Sequence, residues 1–108
     1  DISKWDVSNA NDMSFMFADS DFNGDISDWN VSEVESMDCM FMNSRFSGDI
    51  SRWNVSGLVY CSKMFMNSDF CGDISNWDTS NVMWSGDMLA DSNIPDDVKT
   101  LLLLKMGN

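Results

Sequence analysis

The sequence predicts an α/β repeat solenoid of four coils, each made of one short strand and one short helical turn, with a helix at the C-terminal end. The main observation is a fixed period, because Trp5, Trp29, Trp53 and Trp77 are each separated by 24 residues. A constant period of this length is typical of solenoids, in which each repeat packs on its neighbours. A right-handed parallel β-helix without helical turns is the alternative.

Each repeat contains one stretch with the period of a strand and one with the period of a helix. Trp29-Asn30-Val31 alternates apolar and polar residues, as a half-buried strand does. The i, i+3, i+7, i+10 spacing of a short helical or 3₁₀ segment relates Val34, Met37, Phe41 and Ser44. A β-helix would instead place a strand at residues 37–41. In either fold the recurring Trp, Ile, Val, Met and Phe columns should form the interior.

The repeat divides the chain into four units followed by a C-terminal segment. Repeat sequence covers residues 1–94, and cutting before each Asp-Ile-Ser gives units at 1–24, 25–48, 49–72 and 73–96. Pro95 and the two aspartates after it predict a helix, so residues 95–108 read as a capping helix and tail. Its apolar face should cover the last coil through Val98, Leu101, Leu102 and Met106. No matching N-terminal cap is seen, so we expect a longer chain or repeat array.

Composition excludes several classes of function. Eighteen acidic and six basic residues give a net charge of −12, which repels nucleic acids and anionic membranes. The chain has no His, the commonest general base and metal ligand. The apolar run Leu101–Leu104 is far shorter than the ~20 residues of a membrane span. We therefore expect no enzymatic activity, no nucleic acid partner and no membrane insertion. The three cysteines occupy different columns of the repeat, so we expect no disulfide.

The repeat motif resembles a known family. The pattern W-D-V-S-x-V-x-x-M-x-x-M-F-x-x-S-x-F-x-G-D-I-S is similar to that of the BspA-type leucine-rich-repeat surface proteins, a mycoplasma-type domain of unknown function. This resemblance implies a right-handed solenoid like that of leucine-rich repeats. It also implies adhesion or host interaction at the cell surface or outside the cell. Three cysteines and ten methionines leave a reduced compartment or a large assembly open as alternatives.

One acidic column raises the question of metal binding. The first residue of each repeat is an aspartate, and these would stack as like charges: Asp1, Asp25, Asp49 and Asp73. Calcium would relieve that repulsion, since it binds carboxylates and carbonyls. We favour the alternative that each aspartate caps its own turn by accepting backbone N–H groups, and we expect no cofactor.

Two adjacent columns change from polar to apolar along the chain. They begin at Asn11-Asp12 and end at Val59-Tyr60 and Met83-Trp84. The third repeat has no net charge, whereas the others carry −4, −4 and −5. A neutral aromatic band within an acidic surface is typical of a contact site, so Val59, Tyr60, Met83 and Trp84 are the predicted partner-binding residues. The alternative is that they pack beneath the C-terminal helix.

These observations predict a non-catalytic module for protein–protein interaction or adhesion. Its partner should be a protein with a neutral or basic surface. The exposed positions of the predicted strands form a second candidate surface, consisting of Lys4, Asp6, Asp28, Asn30, Arg52, Asn54, Asn76 and Asp78. The alternative function is a structural component of a virion or another large assembly, docked through the uncapped first coil.

Overall fold

A computed structural model describes residues 1–106. Within that range the only helix is α1, Asp96–Met106, and the β pairing consists of three isolated parallel bridges: Asp12–Ser36, Ser36–Tyr60 and Tyr60–Trp84. The predicted α/β solenoid, with a strand and a helical turn in each coil, is therefore wrong. The parallel β-helix alternative is wrong as well. The described coils also lack the strand and helix of a leucine-rich repeat.

Successive repeats nevertheless lie against one another in parallel. At each of the three junctions, four backbone N–H groups of one coil donate to carbonyls of the next coil over N···O distances of 2.8–3.0 Å. We call these four N–H groups the donor row of a coil. In the second coil the donor row consists of Met37, Cys39, Phe41 and Asn43, and its acceptors are the carbonyls of Tyr60, Ser62, Met64 and Met66. Backbone hydrogen bonds thus join coils that contain no strand.

Left-handed residues explain why the donor row is neither a strand nor a helix. Cys39 and Asn43 both have a φ of 57°, and six residues at equivalent positions have φ between 54° and 61°. Each of the two is the third residue of a turn, closed by Met40 N–H to Met37 O and by Ser44 N–H to Phe41 O. A residue with positive φ interrupts both the α-helix and the pleated strand. Two consecutive turns still bury side chains three and four residues apart, which imitates a helical pattern.

The core consists of stacked columns, as the repeat predicts. Trp29, Trp53 and Trp77 are buried, and each indole N–H donates over 3.0 Å to the carbonyl of an isoleucine in the preceding coil. Phenylalanine rings stack between coils: the ring centroids of Phe41 and Phe65 lie 5.6 Å apart, and the angle between the ring planes is 3°. Trp5 differs, because it is 56% exposed. The core is therefore closed in the inner coils and open at the first one.

Helix α1 covers only part of the last coil. Leu102 and Met106 are buried beside Trp77. The Nζ atom of Lys105 donates to the carbonyls of Ser75 and Trp77, at 2.6 and 2.7 Å. The predicted apolar face is only half correct, because Val98 and Leu101 are exposed. The last two residues of the predicted 95–108 segment lie outside the described residues.

Candidate interaction surface

Two rows of residues run side by side along the stack. The first row consists of Asn11, Glu35, Val59 and Met83, and the second of Asp12, Ser36, Tyr60 and Trp84. The carbonyl of Glu35 accepts the N–H groups of Val59 and Tyr60, at 2.9 and 3.0 Å. The carbonyl of Val59 in turn accepts those of Met83 and Trp84, at 3.0 and 3.1 Å. The main chain thus holds Tyr60 and Trp84 on neighbouring coils in a defined register.

The apolar ends of both rows face solvent. Tyr60 is 44% exposed, Met83 64% and Trp84 58%, whereas Val59 is half-buried. We call these four residues the aromatic patch. The structure brings them together on one surface and does not bury them beneath α1, which was the alternative to a contact surface. Whether the aromatic patch binds a partner stays a prediction.

The electrostatic surroundings change along the two rows. Tyr60 belongs to the repeat without net charge, and the polar ends of the rows carry Asp12 and Glu35. The carboxylate of Asp12 accepts hydrogen bonds from the side chain and the backbone of Ser14, which lowers the pKa of Asp12. Asp12 is therefore ionised at neutral pH. The aromatic patch itself contains no charged residue, although Met83 and Trp84 belong to a repeat with a net charge of −5.

The second candidate surface exists, although no strand forms it. All eight of its residues are exposed: Lys4, Asp6, Asp28, Asn30, Arg52, Asn54, Asn76 and Asp78. The carboxylates of Asp6 and Asp78 accept hydrogen bonds from the serine two positions later, which lowers the pKa of both carboxyl groups. The side-chain oxygens of Asn30 and Asn54 accept the equivalent backbone N–H. Arg52 pairs with Asp28 at 3.2 Å. Many polar side chains of this predicted partner-binding surface are thus already bonded within the chain, in local turns and in one ion pair.

The aspartate column caps turns. In all four coils, Asp1, Asp25, Asp49 and Asp73 accept the backbone N–H of the serine two residues later, at 2.9 Å. For the last three, hydrogen bonds from the serine hydroxyl and then from its backbone lower the pKa. Within residues 1–106, no group of three or more His, Cys, Asp or Glu is arranged to hold a metal ion. The local bonds agree with the capping interpretation.

The cysteines have different environments, and all three are free thiols. Cys61 is fully buried with its Sγ 3.6 Å from the Sδ of Met88. Burial, and secondarily the charge of Asp38, raises the pKa of Cys61 to about 12, so its thiol is not ionised at neutral pH. Burial also raises the pKa of Cys39, whereas Cys71 is exposed. The two buried thiols, Cys39 and Cys61, are therefore less readily ionised than a free cysteine.

Sequence reasoning missed an exposed apolar pair in the first coil. Phe15 is 60% exposed and Met16 38%, and Phe15 has a φ of 61°, which is uncommon for an aromatic residue. The signal was available in the repeat itself, since the equivalents of Phe15 are Cys39, Lys63 and Asp87. An aromatic residue in a column with charged members indicates an outward position. This pair lies at the same open end of the stack as Trp5.

The fold defines a repeat protein in which 24-residue coils stack through backbone hydrogen bonds and carry an exposed aromatic patch. The chain belongs to the family described as Mycoplasma protein of unknown function, DUF285, whose model matches residues 1–99. No curated protein and no solved structure gives a match. In the part of the chain that the structure describes, no helix has the length and apolar character needed to cross a membrane.

Proposed function

We propose that this chain is a non-catalytic module for protein–protein interaction or adhesion, and that the aromatic patch is its main contact. The observation that carries the proposal is the exposure of Tyr60 and Trp84 on neighbouring coils. Large aromatic side chains that remain exposed on a folded surface commonly mark contact sites. The chain leaves these two rings in solvent although it buries the other aromatic residues of coils two to four.

The backbone supports the aromatic patch as a binding site. Tyr60 and Trp84 lie on main chain that neighbouring coils hold through paired hydrogen bonds. Anchors on an ordered scaffold lose little conformational freedom when they dock, and one buried aromatic anchor contributes ~2 kcal/mol or more to binding. The net charge of −12 disfavours an acidic partner. The partner is therefore a protein with a neutral or basic contact surface.

The proposed location of the module rests on the resemblance of its repeat motif to a family of surface proteins. The repeat motif is similar to that of BspA-type surface proteins, which act in adhesion and host interaction. On this basis the chain is displayed at a cell surface, with the aromatic patch directed at the partner.

The test is a double variant, Tyr60→Ser with Trp84→Ser. It should abolish binding to the partner that copurifies with the unchanged chain, and the melting temperature should stay within a few degrees because both side chains are largely exposed. Phe15→Ser is the matched control, since it also removes an exposed aromatic ring and should leave binding intact. Full binding by the double variant would refute the contact, and so would a large loss of stability.

A second function is favoured by the open first coil. Trp5 is 56% exposed, whereas Trp29, Trp53 and Trp77 are at most 4% exposed. A structural component of a large assembly would bury the exposed apolar residues of the first coil, Trp5, Phe15 and Met16, against another subunit. In that case Trp5→Ser with Phe15→Ser should abolish incorporation at fixed stoichiometry, and the aromatic-patch variant should not. Quantitative copurification of both double variants separates the two functions.

A further inference from the structure

The last coil has a complete donor row to which residues 1–106 offer no acceptor. In the first three coils, this row donates to carbonyls of the following coil; the third coil uses the carbonyls of Trp84, Gly86, Met88 and Ala90, at 2.8–2.9 Å. The equivalent donors of the fourth coil are the backbone N–H groups of Ser85, Asp87, Leu89 and Asp91. Among residues 1–106, no group accepts a hydrogen bond from any of these four. The fourth coil thus ends in a row of unpaired donors.

Helix α1 leaves this part of the last coil uncovered. It packs near Trp77 through Leu102 and Met106, on the other part of the coil. Between the helix and the donor row lies an open groove of about 280 Å³. Residues 85–90 line one side of the groove, and Lys99 and Leu103 line the other. Three of the four donors, Ser85, Asp87 and Leu89, thus belong to residues that line the groove.

A buried hydroxyl group adds a second unsatisfied partner. Ser85 lines the groove and is only 2% exposed, yet its Oγ atom has no hydrogen-bond partner in the described chain. The equivalent residues in the preceding coils are Met13, Met37 and Cys61. A buried hydroxyl group without a hydrogen-bond partner is destabilising. Serine is smaller than the Met or Cys at the equivalent positions, so Ser85 leaves more space at this place in the coil.

The junctions between coils indicate which chemical groups the donor row binds. All three pair it with main-chain carbonyls from every second residue of a polypeptide. Concave rows of backbone N–H groups also bind anions. Here the carboxylates of Asp87 and Asp91 stand beside the row, and the chain carries a net charge of −12, so an anion is repelled. A neutral peptide carbonyl meets no such repulsion.

We propose that this groove binds a segment of another polypeptide that has the turn conformation of the repeat, through the donor row of Ser85, Asp87, Leu89 and Asp91. Residues 36–42 of this chain illustrate such a segment, because the carbonyls of Ser36, Asp38, Met40 and Met42 accept the donor row of the first coil. Main-chain hydrogen bonds supply the affinity, as when a peptide adds to a sheet edge. None of the four residues of the aromatic patch lines this groove.

Amide hydrogen exchange of the full chain tests the proposal. The probe is a synthetic peptide with the sequence of residues 33–45, added at millimolar concentration. A second form carries the same sequence behind Asn108 on a flexible Gly/Ser linker, which supplies a local concentration in the millimolar range. Exchange at the four donor amides should slow by about tenfold or more in the tethered form. Absence of protection in both forms overturns the proposal.

Substitutions of Gly86 provide the matched control. Gly86 lines the groove, and an added Cβ would meet nothing within 4 Å. Gly86→Trp should fill the groove and abolish the protection, whereas Gly86→Ala should retain it. Equal protection in Gly86→Trp overturns the proposal. Protection by sulfate alone, at the same concentration and without peptide, overturns it in favour of an anion site. The double variant of the aromatic patch should bind the peptide unchanged.

Discussion

The indole hydrogen bonds between coils give a quantitative prediction for Trp53→Phe. Trp53 is 4% exposed and donates to the carbonyl of Ile26 over 3.0 Å. Loss of this bond costs ~1 kcal/mol, because the carbonyl keeps its second bond from the backbone N–H of Trp29. The space left by the smaller ring adds ~1 kcal/mol if its neighbours do not relax. The expected destabilisation is therefore about 2 kcal/mol.

Trp5→Phe is the internal control for this prediction. It changes the same side chain at the same position of the repeat, but Trp5 is 56% exposed and no group within residues 1–106 accepts its indole N–H. The change in stability should stay within ~0.5 kcal/mol. Both variants can be measured by urea and thermal unfolding, followed by circular dichroism. A loss of 2 kcal/mol corresponds to a melting temperature lower by about 8–16 °C in a domain of this size.

The comparison of the two variants also defines what would refute the reasoning. Equal losses in Trp53→Phe and Trp5→Phe would mean that the first coil is as well packed as the inner coils. A loss below ~0.5 kcal/mol in Trp53→Phe would mean that the indole bond and the packing around it contribute nothing to stability. Either result would contradict a core that is closed in the inner coils and open at the first.

Two further predictions concern small groups within the repeat. Gly48→Ala should cost about 1–3 kcal/mol in chemical unfolding, because the added Cβ would lie 2.9 Å from the buried ring of Phe46. Gly24→Ala should cost clearly less, since its neighbouring ring is only half-buried and can move; equal costs would contradict this cause. In thiol titration of the native chain at neutral pH, Cys71 should react quickly and Cys61 only after unfolding. Rapid reaction of Cys61 would show that its coil opens readily.

The difference between prediction and structure is clearest in residues 37–44. Their spacing indicated a short helical segment, and the inward positions of Met37 and Phe41 were correct, since both are fully buried. The conformation was wrong, because Cys39 and Asn43 adopt positive φ. Helices and consecutive turns bury the same positions, so an apolar pattern does not separate them. Asn tolerates positive φ, which suits the position of Asn43, but the column of Cys39 also contains Phe15 and Lys63, which give no such signal.

The sequence by itself determined the period of 24, the parallel register and the columns that form the core, because stacked repeats must present the same side chains to one another. It also placed Tyr60 beside Trp84. Only the tertiary structure decided that backbone turns replace strands and helices. It also decided that α1 does not cover Trp84, and that the helix covers only part of the last coil. These outcomes depend on hydrogen bonds and packing between coils, which select the φ angles of the turns and the direction of α1. The local pattern of apolar and polar residues does not contain this information.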